Sequence, residues 1–166
     1  MSTQRFTKLS VTNFLHCEGK YLLLHRQPDA SVDPNKYNGI GGKVDLGEDF
    51  LTAAIRETQE ETGYIVQPSD CRLTHVVHLT GGYKTDWVMC FFAIAVPTFA
   101  IPHGSETREG RLQWLTPAEI LGGAYDLVDD LNYLFPDVVA NKPLQYVAMT
   151  ASDTFTITIH SKTSAK

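Results

Sequence analysis

Residues 41–64 read GGKVDLGEDFLTAAIRETQEETGY, and this stretch decides the fold. Residues 50–62 contain neither Pro nor Gly, and Gly63 follows at the usual stop position, so the spacing predicts a helix. Leu51, Ala54, Ile55 and Thr58 follow the i, i+3, i+4, i+7 rule and make one stripe for a core. Glu57, Glu60 and Glu61 stand off that stripe. Their own spacing is i, i+3, i+4, which gathers three carboxylates on one patch, where like charges repel. A positive group is expected there.

Carboxylates without nearby Cys or His suit a hard divalent ion, and Mg²⁺ is characteristically shared between a few carboxylates, waters and substrate phosphates. The loop before the helix holds Gly41, Gly42 and Gly47, which let backbone groups approach a ligand and turn a carbonyl toward a metal. Loop and helix are therefore read as one site.

Gly42, Glu48, Arg56, Glu57, Glu60, Glu61 and Gly63 stand at the spacing of a known signature, and all seven fixed positions are present. Chance agreement has a probability of roughly one in a hundred million per start position. The stretch resembles the Nudix box of the MutT/Nudix hydrolases. Thr58 and Tyr64 occupy positions that are usually aliphatic in that family. Thr58 is expected to bond a carbonyl one turn back, and Tyr64 to pack its ring while keeping its hydroxyl wet.

The 166 residues fit one domain, assigned to 1–160, with 161–166 as a frayed tail. Hydrophobic residues make up 43%, and 14 basic against 19 acidic residues give a net charge of −5. No broad basic surface for a nucleic acid polymer or an anionic membrane is expected, so a nucleotide would meet a local site. The partner expected is a small nucleotide; the oligomeric state is left open. Cys17, Cys71 and Cys90 form no CxxC pair and fit a reduced, cytoplasmic setting. The N-terminal residues lack a signal-peptide pattern, and the longest apolar run, 87–96, is short of the ~20 residues a membrane span needs.

In chain order, 6–15 and 21–25 read as a hairpin turning at Glu18 and Gly19, and Arg26 at the strand end is placed to reach a phosphate. Residues 73–79 and 88–96 read as strands around the turn 80–83. His75 and His78 point to opposite faces of a strand, which favours a structural role over metal ligation. A short strand at 112–115 leads into Thr116, Pro117 and Glu119, a strong helix start. Residues 129–140 are expected to be partly helical despite Pro136, and 144–149 with 155–160 a terminal hairpin. The fold class expected is α/β with a mixed sheet covered on both faces; the resemblance implies the Nudix α/β/α sandwich.

The resemblance also implies site roles. Glu57, Glu60 and Glu61 are metal ligands, joined by a carbonyl of Gly41 or Gly42 and by Glu109, with Mg²⁺ as the cofactor and Mn²⁺ as a substitute. Glu57 is favoured as the base that activates water. Arg56 and Glu48 form the charged pair that holds loop against helix. The segment KYNGIGGKV, 36–44, resembles the oxidised purine nucleoside triphosphatases, the 8-oxo-dGTP diphosphatase branch, and places Asn38 and Lys43 at the substrate. Asp129 and Asp130, followed by Tyr133, Phe135 and Pro136, resemble that branch's base-recognising aspartates.

A purine offers donors and acceptors that Asn38 and two carboxyls can pair with, one carboxyl being protonated by its neighbour's charge. Leu127 replaces the Trp often found two residues before the pair, and Phe14, Tyr83 or Trp87 are the alternative stackers. The implied activity is Mg²⁺-dependent hydrolysis of purine nucleoside triphosphates such as 8-oxo-dGTP to monophosphate and pyrophosphate, a nucleotide-pool sanitiser. The alternatives are a Nudix hydrolase for ADP-ribose, a dinucleoside polyphosphate or a nucleotide sugar, and a nucleotide-sensing module without catalysis.

Overall fold

The computed structural model describes residues 5–82, 85–154 and 156–165. The first two strands, β1 (Thr7–Cys17) and β2 (Lys20–Arg26), form the expected hairpin, and Glu18 and Gly19 take positive φ at its turn. Along β1, Val11, Asn13 and Leu15 face one side of the sheet while Phe14 faces the other core. This period-two alternation gives one strand two buried faces.

A two-residue strand β3 (Tyr37–Asn38), not expected from the sequence, pairs with β2. The helix α1 spans Phe50–Thr62, capped by the Asp49 side chain and ended by Gly63 at φ 79. Next come β4 (Cys71–Thr80), β5 (Asp86–Ala95), β6 (Gly110–Leu115), the short α2 (Pro117–Leu121) with its capping box, and α3 (Leu131–Val139) with Pro136 inside. The chain closes with β7 (Gln145–Ala151) and β8 (Ile157–Ser164).

The strands form one mixed eight-stranded sheet ordered β3-β2-β1-β5-β4-β7-β8, with β6 on β2. The β1–β5 and β4–β7 pairs are parallel and the other named pairs antiparallel. On one face, α1 packs Ala53 and Ala54 over Leu15, Leu22, Phe92 and Ile94. On the other, α3 packs Leu131, Leu134 and Phe135 against Phe14, Leu23 and Phe91. The α/β/α expectation holds.

The glycine loop is threaded against two strands at once. Its backbone bonds to β1 through Asn13 N–H to Ile40 O at 2.6 Å and Val11 N–H to Gly42 O at 2.9 Å, while Asn38 pairs with Leu24 of β2. Such contact leaves no room for a Cβ at Gly41, where it would meet the Val11 carbonyl oxygen at 2.2 Å.

Four expectations are corrected. Residues 161–164 continue β8, opposite 145–148 of β7, and Ala165 N–H bonds to Leu144 O at 2.7 Å; backbone pairing orders a segment whose polar composition looked like a tail. Lys166, Phe155 and Tyr83 lie outside the described residues. The buried face of α1 is Ala53, Ala54, Thr58 and Thr62, with Leu51 and Ile55 only half-buried, because small side chains let the helix sit close to the sheet.

Thr58 accepts from the Asn13 side-chain amide at 3.1 Å, and the same amide donates to Ala54 O at 2.8 Å. The bond one turn back is made by Thr62 to the Thr58 carbonyl. Tyr64 is 3% exposed, and its hydroxyl donates to Thr98 O at 2.7 Å instead of meeting water. Among the described residues no helix is long and apolar enough to cross a membrane.

Candidate active site

Helix α1 fixes the direction of its charged face, and one cation organises most of it. Arg56 donates Nε to Glu48 Oε1 at 2.8 Å and Nη2 to Glu48 Oε2 at 2.9 Å, a bidentate fork. Its Nη1 reaches Glu57 Oε1 at 2.9 Å and Glu60 Oε2 at 3.2 Å, and Nη2 also meets the Lys43 carbonyl at 3.0 Å. The positive group expected beside the carboxylates is thus, in part, Arg56 itself. Arg56 hydrogen bonding holds the Glu48 carboxyl down at about 2, and the carboxylates in turn push Arg56 further up, with Glu48 first.

Glu61 is outside this web. Its Oε2 is buried without a hydrogen-bond partner. Burial pushes its carboxyl up to about 8, with Glu109 and Glu57 adding repulsion, while the Gly41 backbone and Arg26 oppose the shift. Burial likewise raises Glu57 against the opposing pull of Arg56.

Glu57, Glu60, Glu61 and Glu109 line one cavity of about 630 Å³ with His103, Glu106 and Arg108. Among the described residues no three His, Cys, Asp or Glu side chains already converge as a metal cage; Glu57 and Glu60 each give an oxygen to Arg56. A hard cation nevertheless fits this patch, since it supplies the counter-charge that the orphaned oxygen of Glu61 lacks and the donors are all oxygens.

The second cavity, about 510 Å³, collects the other expected residues: Arg26, Asn38, Gly42, Lys43, Asp129 and Asp130, with Glu109 again on its wall. Glu109 therefore belongs to both cavities. Arg26 Nε is buried without a partner. Asn38 accepts from Gly39 N–H at 2.8 Å through Oδ1, which commits its oxygen and leaves the amide nitrogen for a ligand.

The Gly42 carbonyl has one lone pair engaged by Val11 N–H. Burial and then the Asp33 charge push Asp130 up to about 6, with Asp129 a lesser contributor. The neighbour's charge, expected to be the cause, ranks behind both.

Of the candidate stackers, Phe14 is fully buried in the core and Trp87 lines the second cavity beneath the Lys8 ammonium, 5.2 Å from the ring centroid. Leu127 is buried and pairs with Tyr37. His75 is buried against Thr74 and Asp137, and His78 is exposed; neither lines either cavity.

Several lining residues were not anticipated. Lys8, Ser10 and Thr12 alternate along β1 into the second cavity, and that period of two was visible in the sequence. Asp33 and His103 carried no such signal. The His103 ring lies against Gly63, where a Cβ would meet Cδ2 at 2.6 Å, and the His103 backbone N–H bonds to Thr62 O at 3.0 Å, seating the 97–110 loop on the end of α1.

Comparison with known proteins matches residues 7–138 to the NUDIX domain. The uncharacterized Nudix hydrolase YvcI of Bacillus subtilis (strain 168) is 34% identical over 76 residues, 45% of this chain and 47% of that protein. The m7GpppN-mRNA hydrolase NUDT17 of Xenopus laevis is 46% identical over 48 residues, 29% of this chain and 16% of that protein. The matched stretches thus span half or less of these relatives.

Among solved structures, the mutator MutT protein of Bacillus halodurans superposes with a TM-score of 0.76 at 19% identity, covering 94% of this chain and 96% of that one. A NUDIX hydrolase of Nitrosomonas europaea superposes with a TM-score of 0.65 at 25% identity, covering 81% and 90%.

Proposed function

The chain belongs to the NUDIX domain family, and on that premise we propose that it is a Mg²⁺-dependent nucleoside triphosphate diphosphatase. Its proposed substrates are purine nucleoside triphosphates, oxidised purines such as 8-oxo-dGTP included, and its products a nucleoside monophosphate and pyrophosphate. One observation carries the reading: Glu109 joins the wall of the carboxylate cavity to that of a cavity holding Asn38, Asp129 and Asp130. A substrate with a charged end and a hydrogen-bonding end fits that pairing.

In this reading Glu57, Glu60 and Glu61 hold the cation, with Glu109 and the free lone pair of Gly42 O as supplementary donors. When bound, the divalent ion neutralises phosphate charge and lowers the barrier to attack at phosphorus. Glu57 takes the proton from the attacking water. The water oxygen bonds to phosphorus, the bridging P–O bond breaks, and its electron pair leaves with the departing phosphate.

Arg56 and Glu48 position Glu57 and the loop instead of touching substrate. Arg26 and Lys43 meet the phosphates. Asn38, Asp129 and Asp130 read the base.

The test is steady-state hydrolysis with Mg²⁺, then Mn²⁺, across 8-oxo-dGTP, the ordinary nucleoside triphosphates, ADP-ribose and diadenosine polyphosphates, with products separated chromatographically. Monophosphate and pyrophosphate from a purine triphosphate, lost in Glu61→Gln, is the expected result. Preference for ADP-ribose or a dinucleotide would retain the family chemistry and remove the base assignment.

A further inference from the structure

Lys36 lies outside the linings of both cavities, yet its ammonium meets Asp129 Oδ1 at 3.0 Å and Asp33 Oδ1 at 3.5 Å. Both carboxylates line the second cavity. They arrive from different parts of the chain, Asp33 from the loop between β2 and β3 and Asp129 from the turn entering α3. Backbone pairing brings them together. Arg26 N–H bonds to Lys36 O at 3.0 Å, Tyr37 N–H to Asp126 O at 2.7 Å and Val128 N–H to Tyr37 O at 3.0 Å. The register on either side of Lys36 is therefore set before its side chain acts.

We propose that Lys36 is a positioning residue for base selection: by holding Asp129 through Oδ1 and tying it to Asp33, it leaves Asp129 Oδ2 as a fixed acceptor beside Asp130. The proposal rests on the assignment of base recognition to Asp129 and Asp130. Asp130 has no ion pair among the described residues, and burial together with the Asp33 charge pushes its carboxyl up to about 6. The other charged residues on this cavity, Lys8, Arg26, Lys43 and Glu109, make no ion pair with either aspartate among the described residues.

A freely moving carboxylate must be ordered each time a ligand binds. One clamped acceptor gives a donor on the purine edge a partner that is already ordered. The Lys36 side chain is 24% exposed and that of Asp129 45%, so the latch is shielded on the lysine side and open on the side that faces the cavity.

Lys36→Met, Lys36→Arg and Asp33→Asn are compared with the wild-type chain on purine and pyrimidine nucleoside triphosphates, with melting temperature recorded for each. Lys36→Met is expected to raise KM for the preferred purine nucleotide about tenfold while kcat stays within about twofold, and Lys36→Arg to recover most of the loss. Asp33→Asn removes one arm of the latch and is expected to raise KM about threefold; it decides the matter if Lys36→Met does not fold. A wild-type purine preference that survives these substitutions unchanged would overturn the role of Lys36 alone. A wild-type chain indifferent to the base would remove the base assignment and the latch together.

Discussion

Arg56 and Glu48 are joined by two parallel hydrogen bonds, 2.8 and 2.9 Å, across the junction of the glycine loop and α1. The same guanidinium holds Glu57 and Glu60, so the fork fixes where two proposed metal-binding carboxylates start from. Lysine keeps the charge and loses the fork. Arg56→Lys is expected to lower kcat about 10–100-fold, as removal of an outer partner of metal-binding groups usually does. Turnover within twofold of wild type would show that the carboxylates are oriented by something else.

Glu61 tests the metal reading without an activity assay. Its buried oxygen lacks a hydrogen-bond partner, and Glu57 and Glu109 repel its charge. In EDTA, Glu61→Gln should therefore melt at or above the wild-type temperature, by about 2–4 °C for each ~1 kcal/mol relieved. Added Mg²⁺ should raise the wild-type melting temperature and leave the variant nearly unmoved. Equal Mg²⁺ shifts in both would remove Glu61 from the ligand set.

The box was legible because its chemistry is local: Glu57, Glu60 and Glu61 are neighbours on any helix, whatever surrounds it. What escaped depends on partners far along the chain. Asn13 reads as an ordinary strand residue until α1 lies over it, and only then is a buried amide needed to bond Ala54 O and Thr58. Lys36 reads as a solvated loop charge because Asp129 is 93 positions away. Residues 161–164 look like a polar tail because β8 is held by backbone pairing to β7, which side-chain composition does not report. Asp129 and Asp130 were visible as a pair, while the cause of the Asp130 shift was not, since Asp33 arrives from a separate loop.

Asp137 anchors the face of the sheet opposite α1. It is 5% exposed and binds Lys142 at 2.8 Å and Lys162, joining α3 to the segment after it and to β8. Burial pushes its carboxyl up, and the two lysines outweigh that and hold it below the ordinary value. Asp137→Ala is expected to cost about 2 kcal/mol, discounted for the partly exposed lysines, and to lower the melting temperature by roughly 4–8 °C. A depressed carboxyl contributes stability above its unfolded value of 3.8 that is lost as pH falls through the folded value. Urea melts at neutral pH and near pH 3 check both statements.

His75 acts in a different pH window. His75 Nδ1 shares a 3.0 Å hydrogen bond with Thr74 Oγ1, whose hydroxyl also meets Phe91 O at 3.0 Å, and Nε2 faces Asp137 Oδ2 at 3.6 Å. Burial is the largest influence on the ring, the contact with Asp137 and its charge oppose it, and the Lys162 and Arg72 charges add to it. Burial prevails and pushes the ring down to about 4. Below the ordinary value of 6.5 the unfolded chain takes up a proton that the folded chain refuses. Stability should fall as pH drops from 6.5 toward 4, by on the order of 3 kcal/mol over the window. His75→Gln should flatten that part of the profile and leave the acid loss due to Asp137 in place; an unchanged profile would mean that His75 titrates normally.

Gly41 and Gly42 are adjacent, and their alanine variants should fail in different ways. At Gly41, φ is 152° and a Cβ would lie 2.2 Å from the Val11 carbonyl oxygen, so backbone must move against backbone across the β1 bridge. Gly41→Ala is expected to cost about 2–4 kcal/mol, visible in melting before any assay. At Gly42 the nearest atoms belong to the Glu57 carboxylate, with Oε1 at 2.5 Å and Cδ at 2.8 Å. A flexible side-chain end can swing away at little cost to the fold.

That swing would displace the proposed base and break its contact with Arg56. Gly42→Ala should therefore melt within a few degrees of wild type and lose about 10–100-fold in kcat, since a shift of about 1 Å at a reacting group is enough. The two measurements together separate a glycine required by the sheet from a glycine required by Glu57. If Gly42→Ala were stable and fully active, Glu57 would not need its present place, and the proton would have to leave the attacking water by way of another carboxylate.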